Sequence, residues 1–136
     1  MKYYDARRGG YVILREAGGT PDVVIMATGS EIGLALDTAS ELQKDGTRVR
    51  VVSLPCLEVF AAQDDQWRAD VIPPAGLRVS IEAGRTDLWK AWVGADGITV
   101  GIDDFGHSAP YEVIAEHLGF TPTKVAARVR ERLARR

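Results

Sequence analysis

The residues best placed to do chemistry in this 136-residue chain stand in turns that follow apolar runs. Ala27-Thr28-Gly29-Ser30-Glu31 comes after Val23-Val24-Ile25-Met26 and before a stretch with helical spacing. Free N–H groups and the positive end of a helix dipole would meet in that turn, a setting that can hold an anion. Arg85, in Ala83-Gly84-Arg85-Thr86, lies just past another strand end and would add a positive charge to the same crevice if the two strands are neighbours. The turn has neither G-x-G-x-x-G nor a phosphate-loop lysine, and Glu31 would repel an anion, so helix capping is the plainer reading and dinucleotide binding is not expected. Thr28, Gly29, Ser30 and Arg85 are therefore the candidate anion or regulatory crevice, set against ordinary capping and a surface arginine.

The remaining reactive side chains read as structural. His107, in Asp103-Asp104-Phe105-Gly106-His107-Ser108, has carboxylates and a hydroxyl beside it, as a hydrolase triad does. The acids precede an aromatic loop, however, rather than follow a nucleophile elbow, and Ser108 has the Pro110 spacing of a helix cap. With His117 the only other histidine, no recurring ligand spacing exists, and Asp103-Asp104 alone is a weak magnesium signal, so no metal site is expected. Glu58 and Glu82 lie beside strand ends, but acid–base chemistry needs a pair at a set separation. Cys56, the single cysteine, has no nearby histidine and reads as a buried thiol; it also excludes an intrachain disulfide. Trp67, Trp89 and Trp92 read as packing or partner-surface residues, because the strands carry no interleaved basic residues for stacking bases. No catalytic, cofactor-binding or metal-ligating residue is expected.

The elements that must position these residues follow from patterning. Tyr11–Leu14 is a short β-branched-rich strand after Gly9-Gly10. Residues 23–27 are apolar without alternation, as in a parallel strand covered on both faces. Ile32, Ala35, Leu36, Ala39 and Leu42 recur at helical spacing, with Thr28 and Glu31 matching a T-x-x-E capping box, Ser30 competing as the N-cap, and Gly46 as the stop. Residues 49–54 make a third strand, closing a β-α-β unit with a right-handed crossover. A short helix over 63–71 begins at Asp64-Asp65 and stops before Pro73-Pro74. The fourth strand is 77–82, a helical face follows over 86–93, and residues 98–102 form the fifth strand. Ser108 and Thr121, each followed by a proline, open the last two helices. Five strands interleaved with about five helices make a three-layer α/β domain.

Composition is that of a globular domain, with 46% hydrophobic and 26% charged residues and a formal charge of -2. That balance argues against nucleic acid or an anionic membrane surface as a partner. No apolar stretch approaches the roughly 18 residues of a membrane span, and the start lacks a signal core. A cytoplasmic location is expected.

The ordered blocks Gly9-Gly10-Tyr11-Val12, Ala27-Thr28-Gly29-Ser30-Glu31, Arg50-Val51-Val52-Ser53-Leu54-Pro55, Glu82-Ala83-Gly84 and Phe105-Gly106-x-Ser108-Ala109-Pro110 together resemble the C-terminal domain of transketolases. The resemblance runs over residues 9–133, including the Gly119-Phe120-Thr121 entry to the last helix; residues 1–8 look unlike the usual lead-in. It implies a five-stranded mixed sheet in order 1-3-2-4-5, with strand one antiparallel, filling 9–136 as a single domain. It also implies a parent enzyme that moves a two-carbon ketol unit between ketose and aldose phosphates in the pentose phosphate pathway, using thiamine diphosphate and Mg2+ or another divalent metal. In the family those groups sit on the other domains of a homodimer, and no such motif is present here; Ala95-Asp96-Gly97 is a different sequence. This chain is then expected to bind no cofactor itself, to have a structural, dimer-contact or regulatory role, and to be inactive alone. The alternative is a free-standing α/β anion-binding or docking module that partners a separate catalytic subunit.

Overall fold

The computed structural model describes residues 5–82, 87–101 and 119–136. Its strands are β1 (Tyr11–Leu14), β2 (Val23–Ala27), β3 (Val49–Ser53), β4 (Leu77–Glu82) and β5 (Ile98–Gly101). They form one sheet in the order β1-β3-β2-β4-β5. β1 runs antiparallel to β3 and the other pairs are parallel, so the expected topology is the one observed. The helices are α1 (Ile32–Gln43), α2 (Leu57–Ala61), α3 (Asp65–Val71), α4 (Lys90–Val93) and α5 (Pro122–Ala134).

Alternation along the strands separates two cores. Val23, Ile25 and Ala27 of β2 face one way, against Ala35, Ala39 and Leu42 of α1 and Val125, Ala126 and Val129 of α5. Val24 and Met26 face the other way, against Phe60 of α2, Trp67 and Val71 of α3, and Trp89 and Val93 around α4. β2 is central and all five of its residues are buried, which is why its sequence shows no alternation. A fully buried Ile or Met side chain is worth about 1.5–3 kcal/mol, so this strand contributes heavily to stability.

Local signals explain most helix ends. The Asp64 carboxylate accepts from the backbone N–H of Trp67 at 2.7 Å and caps α3. Thr121 does the same for Lys124 at 3.3 Å, with Pro122 in the first turn of α5. Helix α2 has no counterpart in the sequence reading, because five residues are too few to show a period. It forms by docking: Phe60 is buried, and the Cys56 N–H donates to the Gly9 carbonyl at 3.1 Å. This accounts for the Gly9-Gly10 pair. Gly9 has φ +80°, and a Cβ there would meet the Cys56 carbonyl oxygen and the Phe60 nitrogen at 2.5 Å. The helix expected to start at Ser108 lies outside the described residues.

One expectation needs correction. The Thr28 side chain makes no capping bond; a 3-10 turn, Gly29–Glu31, leads into α1 instead, and Ser30 does not cap α1 either. The arginines near the end of α5 also reach other elements. Arg130 reaches Asp45 at 2.5 Å and the Glu41 carbonyl at 2.9 Å, tying α5 to the end of α1. Arg132 donates to the Asp96 carbonyl at 2.7 Å, and Arg136 pairs with the Asp96 carboxylate at 3.0 Å.

Candidate functional site

The Thr28-Gly29-Ser30 turn stands at the C-terminal end of β2, flanked by β3 and β4, which is where ligands bind in open α/β sheets. Ala27 ends the strand, its carbonyl accepting from the Leu54 N–H at 2.9 Å. Thr28 continues in extended geometry, and Gly29 reverses the chain at φ +52°, in the left-handed region that a residue with a Cβ enters only at a cost. Gly29 and Ser30 are exposed and Thr28 is half-buried, so the turn is open to solvent. Its charge is unhelpful to an anion. Glu31 is buried, and its carboxylate accepts from the Ser30 hydroxyl at 2.9 Å, so Ser30 is turned toward a negative group rather than held ready for a ligand. Arg85, together with the Asp103–Ser108 segment and His117, lies outside the described residues.

The other sequence candidates have ordinary partners. The Trp89 indole N–H donates to Glu82 at 2.9 Å, so that carboxylate anchors α4 to the end of β4. Cys56, expected as a buried thiol, is only half-buried because it stands in the exposed turn before α2, and its thiol lies 3.5 Å from a Glu58 oxygen. Trp67 and Trp89 are buried and Trp92 half-buried, which makes them packing residues, and the Arg8 guanidinium lies 4.3 Å over the Trp67 ring. Among the described residues no group of three or more His, Cys, Asp or Glu side chains could hold a metal ion.

A feature the sequence reading passed over is a pair of arginines in the second core. Val24 is flanked in the sheet by Arg50 of β3 and Arg78 of β4. Arg50 is buried and makes a two-pronged ion pair with Glu16, Nε to Oε1 at 2.6 Å and Nη2 to Oε2 at 2.9 Å. Its third nitrogen donates to the Asp70 and Val71 carbonyls at 2.7 and 3.2 Å, satisfying the end of α3. Burial pushes the Glu16 carboxyl up, but the hydrogen bonds and charge of Arg50 outweigh this and hold it below the usual glutamate range. The signal was present in the sequence: Val49-Arg50-Val51 puts a cation inside a strand buried on both faces, which demands a carboxylate partner. Which carboxylate is a matter of tertiary structure, since Glu16 lies 34 residues away.

Comparison with known proteins gives these features a family. Residues 9–121 match the model of the transketolase-like TK C-terminal domain. The plasmid-encoded transketolase of Cupriavidus necator is 49% identical over 126 residues, covering 93% of this chain and 18% of that protein. Aquifex aeolicus transketolase is 44% identical over 127 residues, covering 93% and 18%. Among solved structures, the transketolase of Leishmania mexicana superposes with a TM-score of 0.84 at 38% identity, over 96% of this chain and 18% of that one. This chain thus spans about a fifth of the length of the relatives it matches. Sequence match, sheet order and superposition agree, and the chain belongs to the transketolase family through its C-terminal domain.

Proposed function

We propose that this chain serves as the C-terminal domain of a transferase that moves a two-carbon ketol unit between ketose and aldose phosphates, as in the pentose phosphate pathway. Its own part is structural, at a subunit contact of a homodimer, or regulatory. Thiamine diphosphate and the divalent metal, when bound, supply the carbanion chemistry, and we place both, with the sugar-phosphate clamps, on other domains. The observation that carries this reading is the match of residues 9–121 to that domain and of only 18% of each relative to this chain. The solved Pichia stipitis transketolase holding sedoheptulose-7-phosphate, 32% identical with a TM-score of 0.84, supports the sugar-phosphate class. We divide the chain into a lead-in, 1–8, and one domain, 9–136; the docking of α5 on α1 supports extending the domain past residue 121. No helix among the described residues is long and apolar enough to cross a membrane, and the proposed location is the cytoplasm.

The test is ketol transfer between a ketose and an aldose phosphate with thiamine diphosphate and Mg2+ added. The purified chain should give no turnover. A chimera in which it replaces the matching segment of the Cupriavidus necator enzyme should be dimeric and active. Turnover by the chain alone, or a folded chimera that neither dimerises nor reacts, overturns the reading.

The crevice of Thr28, Gly29, Ser30 and Arg85 is proposed as an anion or regulatory site, supported by the turn's openness at the sheet's C-terminal end. Calorimetric titration with sulfate, phosphate and sugar phosphates should give saturable heat; its absence removes the site.

A further inference from the structure

The two arginines that flank Val24 use the same device and differ in one respect. Each donates to carbonyls that end a helix or the loop behind it: Arg50 to Asp70 and Val71, Arg78 to Trp92 at 3.1 Å and Pro73 at 3.2 Å. Arg50 has the Glu16 carboxylate; Arg78 meets no carboxylate among the described residues. Arg78 is half-buried, and a partly desolvated cation held only by carbonyl dipoles is under-compensated. It also lines a cavity of about 290 Å3 whose walls include Phe60, Ile72, Pro74 and Trp92. The Phe60 and Trp92 rings have centroids 5.6 Å apart and are tilted by 46°. Arg68 and Asp65, also in the wall, are paired with each other, and Arg68 donates as well to the Gln63 carbonyl at 3.2 Å.

We propose that this cavity binds a small amphipathic anion: a carboxylate on a flat apolar body such as an aromatic ring. The two carbonyl bonds fix the plane of the Arg78 guanidinium and leave its Nε–H and one N–H on each terminal nitrogen, a planar fork that suits a carboxylate. Phe60, Ile72, Pro74 and Trp92 supply the apolar surface for the ring. The volume lies at the low end of the roughly 300–1,000 Å3 typical of ligand pockets, which admits one ring with a short acid arm and excludes a dinucleotide. Arg78 is near the start of β4 whereas Thr28 follows the end of the parallel strand β2, so this cavity and the Thr28 turn lie toward opposite ends of the sheet.

The experiment is a titration of the 136-residue chain with phenylacetate, followed in 1H–15N correlation spectra, with phenylacetamide and acetate as controls. Phenylacetate should shift the Trp92 indole N–H and the Ile72 and Trp92 amides saturably, with a Kd in about the millimolar range. Phenylacetamide, lacking the charge, should bind about tenfold more weakly, and acetate should leave these signals unmoved. Arg78→Gln should reduce affinity to that of phenylacetamide. Because Arg78 also ties down two loops, a second variant uses the exposed wall residue Ala69: Ala69→Phe fills the cavity without removing a hydrogen bond and should abolish the shifts at unchanged melting temperature. Absence of saturable shifts up to about 20 mM, well above a millimolar Kd, overturns the proposal. So does equal binding of the amide, or binding that survives Ala69→Phe.

Discussion

Removing the Glu16 carboxylate should be among the most damaging single changes in the described part of this domain. Glu16→Ala leaves the Arg50 guanidinium, whose side chain is 7% exposed, without its counter-charge and strips two hydrogen bonds of 2.6 and 2.9 Å. Breaking one partner of a buried pair costs about 3–5 kcal/mol. Unfolding entropy near 2.1 cal/mol/K per residue gives about 0.29 kcal/mol/K for a chain this long, so the melting temperature should fall by about 10–17 °C. Glu16→Leu combined with Arg50→Met, which removes both charges, should cost clearly less than the single change. Acid sensitivity provides a second readout. The folded-state pKa of Glu16 is depressed, so its stabilisation is fully present above the unfolded value near 4.3 and is lost as pH falls through the folded value. Wild type should therefore lose stability from about pH 5 downward more steeply than Glu16→Gln, whose side chain does not titrate. Asp22, also lowered by its hydrogen bonds from Arg48, adds a slope common to both proteins. Differential scanning calorimetry between pH 3 and 8, taken as about the range that brackets these groups, tests both points. A fall under about 3 °C for Glu16→Ala, or parallel pH profiles for wild type and Glu16→Gln, would refute the reasoning.

Four further substitutions probe the frame. Asp64→Ala removes the 2.7 Å cap on Trp67 and should destabilise by about 1 kcal/mol in urea unfolding, whereas Thr28→Ala, which removes no cap, should stay within about 0.5 kcal/mol. Gly10→Ala would place a Cβ 2.3 Å from Leu54 Cδ2 and 2.8 Å from Phe60 Cδ1, and should cost about 1–3 kcal/mol with a lower urea midpoint. Ile25→Ala opens a hole in the central strand and should cost about 2–5 kcal/mol by the same measurement.

The strands were legible from patterning: 23–27 is a continuous apolar run, as in a parallel strand covered on both faces, 77–82 alternates apolar with polar, and both were read with their observed limits. The caps at Asp64 and Thr121 were legible too, since a capping side chain and the N–H it accepts from are three residues apart. The T-x-x-E pattern at Thr28 failed under the same rule. Gly29 takes a positive φ there and a 3-10 turn intervenes, so Thr28 is not positioned to cap, and Ser30 bonds to Glu31 instead. Helix α2 was illegible because its cause is a contact with Gly9 and a buried Phe60 rather than a local period.

Sequence by itself determined the layers and, through ordered motifs, the family, because burial on two faces and turn chemistry are properties of neighbouring residues. Only the tertiary structure decided which charges meet. Glu16 reaches Arg50 across 34 residues, Asp45 reaches Arg130 across 85, and Arg78 comes to line an aromatic cavity without an ion-pair partner among the described residues. Long-range pairing depends on sheet order and on the path of the loops, which a cation in an apolar run signals as a need without naming the partner.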